Sequence, residues 1–213
     1  MLGRICWEDR RKISLEEERL LGLPLLTLVL PDREKGWERR LNKGVRMLRE
    51  RRVTRVLTPA GFDSWPVLYE RGLRPVDTAS LRCALVPAWV RVSLAVKGVK
   101  PESAVLCLRG NRESPEMVRS ALALCPMVRG LVIDVPGGTL PVRLQKEFGL
   151  PVLPARSAQA HLTMTFDPSP NLTGQFALQS VQFPKELEPL TLLAALWESG
   201  RVKTEDIQIE ITG

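Results

Sequence analysis

Two clusters of side chains in this 213-residue chain have the types and spacing for anion chemistry. The first is Arg109-Gly110-Asn111-Arg112, followed at once by Glu113, Ser114, Pro115 and Glu116. Ser114 is a good helix N-cap, Pro115 suits the first helical position, and Glu116 favours the positive end of the helix dipole. A helix starting there offers N–H groups and positive potential beside two forked guanidinium donors, which suits a phosphate or a carboxylate. The same residues would also make an ordinary capped surface turn. Asp134 follows about 25 residues later, near where a dinucleotide-binding fold sets an acid on the ribose hydroxyls, and a strand-terminal aspartate is equally a common cap. Gly137-Gly138 either admits a ligand close to the backbone or makes the turn that Pro136 initiates. The ligand-binding candidates are therefore Arg109, Gly110, Asn111, Arg112, Ser114, Asp134, Gly137 and Gly138.

The second cluster is cationic. Residues 1–56 carry 15 Lys and Arg against 9 Asp and Glu, whereas the rest of the chain is nearly balanced, so the net charge of +7 is an N-terminal property. Most of it falls in 33–52, where Trp37, Leu41, Val45 and Leu48 recur at helical spacing and Arg39, Arg40, Lys43, Arg46 and Arg49 lie off that stripe. Such a helix presents a basic face through Arg39, Arg40, Lys43 and Arg46. That face could bind nucleic acid or an acidic protein. It could also be a solvated exterior, since no aromatic residues interleave the cations as a stacking platform requires.

Other chemistry finds little support. Cys6, Cys83, Cys107 and Cys125 sit in apolar company with no C-x-x-C spacing, as reduced core thiols do, and His161 has no neighbouring ligand cluster, so no metal is expected. Asn171-Leu172-Thr173 matches a glycosylation sequon by chance if the protein is cytoplasmic, as the reduced thiols and the acidic residues Glu8, Asp9 and Glu16–Glu18 ahead of the first apolar run suggest. No apolar run reaches the roughly 20 residues a membrane span needs; the longest, 20–30, is broken by Gly22 and Pro24. No acid–base pair can be assembled, which leans against an enzyme, and no cofactor can be named.

The elements that must position these residues alternate. After an irregular or hairpin-like start, Leu25–Leu30 reads as a buried strand, the basic segment as a helix capped by Asp32, and Val53–Leu57 as a second strand. A short helix from Trp65, capped by Asp63-Ser64, and an edge strand 73–76 follow. The apolar stretch 79–99 reads as a connecting helix that Pro87 should kink or divide. Then come strand 104–108, helix 114–124, strand 130–134, helix 140–148 stopped by Gly149, and strands 151–153 and 162–166. In the tail, 175–183 alternates, 187–197 is helical, and Ile207, Ile209 and Ile211 have period two.

This pattern predicts an α/β fold with a mostly parallel, Rossmann-like doubly wound sheet, arranged as αβ lobes 1–99 and 100–213, with antiparallel C-terminal additions. The G-x-G-x-x-G fingerprint is missing from the second lobe. In element order the chain resembles two-lobed dehydrogenases of the shikimate dehydrogenase type. That resemblance implies a lobe that lost cofactor binding and kept its fold, because the chain has neither the fingerprint nor an obvious Lys-Asp pair. The expectation is a small-molecule-binding α/β protein, a degenerate nucleotide-binding fold without catalysis, that holds an anionic ligand at the loops following its strands. The alternative is a non-enzymatic interaction module that uses the basic helix.

Overall fold

The computed structural model describes residues 1–32, 36–149, 152–154, 159–167, 169–179 and 181–211. The expected lead-in to the basic helix at Arg33, together with Pro151, Pro168 and Ser180, lies outside these residues. The fold is mixed α/β, and the chain divides into two compact units, Met1–Thr78 with Leu178–Asp206 and Ala79–Ala177 with Ile207–Gly213.

The first unit is built on β1 (Leu2–Glu8), β2 (Ser14–Leu20), β3 (Leu23–Pro31), β4 (Arg55–Leu57) and β5 (Arg74–Pro75), in the order β2-β3-β1-β4-β5. β1 lies parallel between β3 and β4, β5 is parallel to β4, and only β2 runs antiparallel, against β3. The start expected from sequence to be irregular or hairpin-like thus holds a central strand, and a hairpin joins β2 to β3 across Leu21 and Gly22. β2 reads Ser-Leu-Glu-Glu-Glu-Arg-Leu, and such charge on an edge strand deters pairing with other chains.

Helix α1 (Trp37–Glu50) follows β3 and buries Leu41, Gly44, Val45 and Leu48. They join Ile5, Leu26, Leu28, Leu30, Val53 and Val56 in the core, with Trp7, Trp37 and Trp65 packed on its margin. Gly44 is where the helix seats: a Cβ built there would lie 2.6 Å from Leu28 Cδ2. The helix starts at Gly36, in the left-handed region at φ 87° and without a side-chain cap, so Asp32 does not cap it. Likewise Ser64 precedes α2 (Trp65–Glu70) without capping it, because its hydroxyl donates to Asp63 instead. Helix α6 (Pro189–Glu198) returns to this unit and pairs Glu198 with Arg55.

The second unit contains α3 (Ala79–Val96), β6 (Val105–Gly110), α4 (Pro115–Leu124), β7 (Gly130–Asp134), α5 (Leu140–Phe148), β8 (Val152–Leu153) and β9 (Leu162–Phe166). Its sheet, in the order β8-β7-β6-β9, is parallel throughout. Pro87 does not divide α3, which runs unbroken with eight buried side chains, Trp89 among them. β10 (Gln175–Leu178) and β11 (Ile207–Glu210) pair only with each other, so the C-terminal strands form a small antiparallel sheet of their own and do not extend a larger one. His161 is structural: its Nδ1 accepts the Val105 N–H at 3.0 Å while its own N–H donates to the Val105 carbonyl at 2.8 Å.

Candidate functional site

Parallel sheets present ligands at the carboxyl ends of their strands, and both units carry polar residues there. In the second unit the sequence candidates mostly satisfy one another. Arg109 and Asp134 are opposite in the β6–β7 register, and Arg109 Nε donates to Asp134 Oδ2 at 2.7 Å. That bond holds the guanidinium above its ordinary range. Both side chains are exposed, at 60% and 42%, so the pair adds little stability but does occupy the arginine. Ser114 is buried and its hydroxyl accepts the Met117 N–H at 3.1 Å, as an N-cap does.

The glycines there are required by packing. A Cβ on Gly110 would meet Met117 Cε at 2.9 Å and the Phe166 carbonyl at 3.4 Å. Gly137 turns the chain at φ 63°, and a Cβ on Gly138 would lie 2.6 Å from Glu113 Oε1. That carboxylate accepts the Leu140 N–H and so fills the amino end of α5 with a charge from the protein itself. Glu113 lay within the sequence cluster, but nothing local showed that it reaches a helix 27 residues away. Asn111 and Arg112 remain exposed at the turn, with no side-chain hydrogen bond or ion pair among the described residues.

The first unit offers a different arrangement. β1 and β3 end in register, Glu8 opposite Pro31, and β1 and β2 flank β3 on opposite sides. The segment from Asp9 to Ile13 must therefore arch over the carboxyl end of β3, beside the helix that leaves the same end. Between arch and helix lies an open groove of about 450 Å³ lined by Arg11, Lys12, Ile13, Pro31, Arg39, Arg40, Lys43 and Met47. Among the described residues five cations line it and no carboxylate does. None of the five takes part in an ion pair among the described residues.

Arg10, next in the arch, is neutralised. It bonds Glu8 at 2.7 Å and also Glu16, whose carboxyl is held below its ordinary range by the Ser14 hydroxyl and by Arg10. An adjoining hollow of about 310 Å³ mixes Asp9 and Asp32 with Arg10, Arg11 and Arg40. Positive potential is therefore concentrated on the α1 side, because like charges left unpaired in one concavity reinforce each other's field. Arg46 is exposed but lies outside the groove lining.

A larger cavity of about 810 Å³ lies at the amino ends of β1 and β3. Its rim mixes Glu17 and Glu18 with Arg19 and Arg201, and Glu18 is held by Arg4 at 2.9 Å and by Thr27, so it lacks a field of one sign.

The thiols lie apart from this chemistry. Burial pushes Cys6 up to about 11 and raises Cys107 and Cys125 as well, the opposite of an activated nucleophile. Among the described residues no three His, Cys, Asp or Glu side chains gather as a metal site. The chain matches no protein-family model, and comparison with curated proteins gives no significant match.

Proposed function

We propose that this protein binds an anionic ligand, without catalysis, in the groove between the Asp9–Ile13 arch and α1. The observation that carries the reading is the convergence of Arg11, Lys12, Arg39, Arg40 and Lys43 on one concavity, with no carboxylate among the described residues of its lining. Repulsion among five such groups is a standing cost that an anion relieves on binding. The described lining holds cations and apolar side chains, with no carboxylate, imidazole, thiol or hydroxyl among them to exchange a proton near neutral pH, which favours binding over chemistry.

Inorganic polyphosphate, a polyanion with no features beyond its charge, tests the reading. It should raise the thermal unfolding midpoint of the full chain, since a ligand at 100 times its Kd stabilises by about 2.7 kcal/mol. Arg40→Gln with Lys43→Gln should abolish most of the shift. No shift for the parent chain, or an equal shift for the variant, overturns the assignment.

A second reading keeps the turn at Asn111 and Arg112. In a Rossmann-like sheet the strand order β8-β7-β6-β9 would open the crevice where the order reverses, between the ends of β6 and β9. A degenerate nucleotide site there would use Arg112, which has no ion-pair partner among the described residues. Arg112→Ala should then weaken binding of a nucleoside phosphate without unfolding the chain, and unchanged binding removes this site.

A further inference from the structure

We infer that the anion held in the groove is a single strand of nucleic acid, bound through its phosphates with its bases resting on an apolar floor and without reading of sequence. The inference rests on the groove assignment above and adds the ligand's class.

Three features of the groove point that way. First, it is open and elongated. From Arg39 to Met47 the helix advances about 12 Å at 1.5 Å per residue, and Arg11 and Lys12 face that length from the arch. A small anion held tightly is usually enclosed, with most of its surface buried, whereas a groove with unpaired cations on both walls suits a chain that passes through. Second, the lining is not all charged: Ile13, Pro31 and Met47 are its uncharged described residues, and they supply the proposed floor. Purely electrostatic binding needs no such floor. Flat apolar rings do, and Met in particular gives a polarizable, adaptable contact to an aromatic face.

Third, the described lining holds no Asn, Gln, Asp or Glu side chain, so the contacts that single out adenine or cytosine are missing from it, and its cations are left to the phosphates. A double helix buries its bases and would leave the uncharged lining residues without a ring to meet. Arg46, on the outer face, is the cation a duplex would meet. An acidic peptide could satisfy the charges but brings no ring for the floor.

Counterion release makes the inference quantitative. Neutralising five phosphates on a single strand gives a slope of log K against log salt of about −3.5, roughly a hundredfold loss of affinity between 50 and 200 mM salt. The experiment is fluorescence anisotropy of the full chain with a labelled twelve-residue thymidine strand, an abasic strand of the same length, a duplex and a polyglutamate peptide. The thymidine strand should bind with that slope and about tenfold more tightly than the abasic strand, as burial of roughly 55 Å² of base face against apolar side chains allows.

Arg40→Gln with Lys43→Gln should reduce the slope to about −2, and Arg46→Gln should leave it unchanged. Met47→Gln should erase the advantage of thymidine over abasic strand while leaving the abasic affinity intact, a split that simple unfolding cannot produce. Equal binding of thymidine and abasic strands, tighter binding of the duplex, or equal binding of polyglutamate each overturns the inference. If the abasic strand and polyphosphate bind but thymidine adds nothing, the groove assignment survives and the ligand class fails. If nothing binds, both fail.

Discussion

Substituting Gly44 by alanine sets two known effects against each other and tests whether the seat of α1 on β3 is as tight as the distances indicate. In an exposed helix the change stabilises by about 1 kcal/mol, because alanine loses less backbone entropy. Here the new Cβ would fall 2.6 and 2.7 Å from the two Leu28 methyls and 3.1 Å from its Cγ. A leucine tip can usually swing aside, but Leu28 is 0% exposed within the central core and has nowhere to go. Overpacking of this kind costs about 1–3 kcal/mol, so the packing term should win by about 1 kcal/mol. With a urea slope of about 2 kcal/mol per molar, the midpoint drops by about 0.5 M. Tryptophan fluorescence is the natural readout, since Trp7, Trp37, Trp65 and Trp197 all belong to the first unit. In a Leu28→Ala background the added methyl enters a cavity, and the sign should reverse. A stabilised Gly44→Ala in the parent chain would refute the close seating. The destabilised variant should also bind polyphosphate more weakly with no charge altered, because a helix lifted from the sheet carries Arg39, Arg40 and Lys43 away from Arg11 and Lys12.

Three further outcomes follow from local chemistry. Leu21 and Gly22 turn the β2–β3 hairpin at φ 51° and 78°, both left-handed, so Leu21→Asn should stabilise by about 1 kcal/mol in chemical denaturation, since asparagine tolerates what leucine does not. Glu113→Ala should cost about 1–2 kcal/mol by stripping the charge from the amino end of α5, and Gly138→Ala, damaging in the parent, should become harmless in that background; equal damage in both would break the link between them. The Cys6 thiol, raised from 9.0 to about 11 by burial, stays protonated where an unfolded thiol ionises. Its contribution is therefore complete below pH 9 and declines as the pH rises toward 11, and Cys6→Ala should flatten that alkaline limb of the stability profile.

The sequence was most legible where period and punctuation agreed. Helix 114–124 was found to within a residue because serine, proline and glutamate mark its start, and Gly149 ends α5 at φ 64° as a C-terminal glycine should. It was least legible at β1 and β2. β2 carries three consecutive glutamates, which strand propensity penalises, yet Arg4, Thr27, Ser14 and Arg10 bond Glu18 and Glu16 and hold it against β3. β1 is mixed in composition, with Gly3 and Arg4 in its course, and its central place is set by parallel partners that no local pattern announces. The caps expected from Asp32 and Ser64 failed for a related reason: both are competent residues, but the chain reached the helix by another geometry, a left-handed glycine in one case and a serine turned toward its neighbour in the other.

The same reasoning separates the two anion candidates. In the cluster around Arg109 the residue types were right, but the partners that occupy them, Asp134 for Arg109 and the Leu140 amide for Glu113, sit 25 and 27 residues away. The basic helix looked like a solvated face because its own length shows only one wall. Its second wall, Arg11 and Lys12, comes from a loop that precedes it by more than 20 residues and is placed beside it by the crossing of β1 to β2 over the end of β3. A charged helix face alone has little affinity for anything, because water and salt screen each cation separately. Two cationic segments lining one groove share one screened volume, and an anion entering it interacts with all five groups at once. It follows that affinity should depend on the arch more than its two charges suggest: replacing Arg11 and Lys12 together should cost the ligand more than replacing Arg46 and Arg49, which carry equal charge on the same helix but face no opposing wall. Equal losses from the two pairs would return α1 to the status of a solvated basic surface.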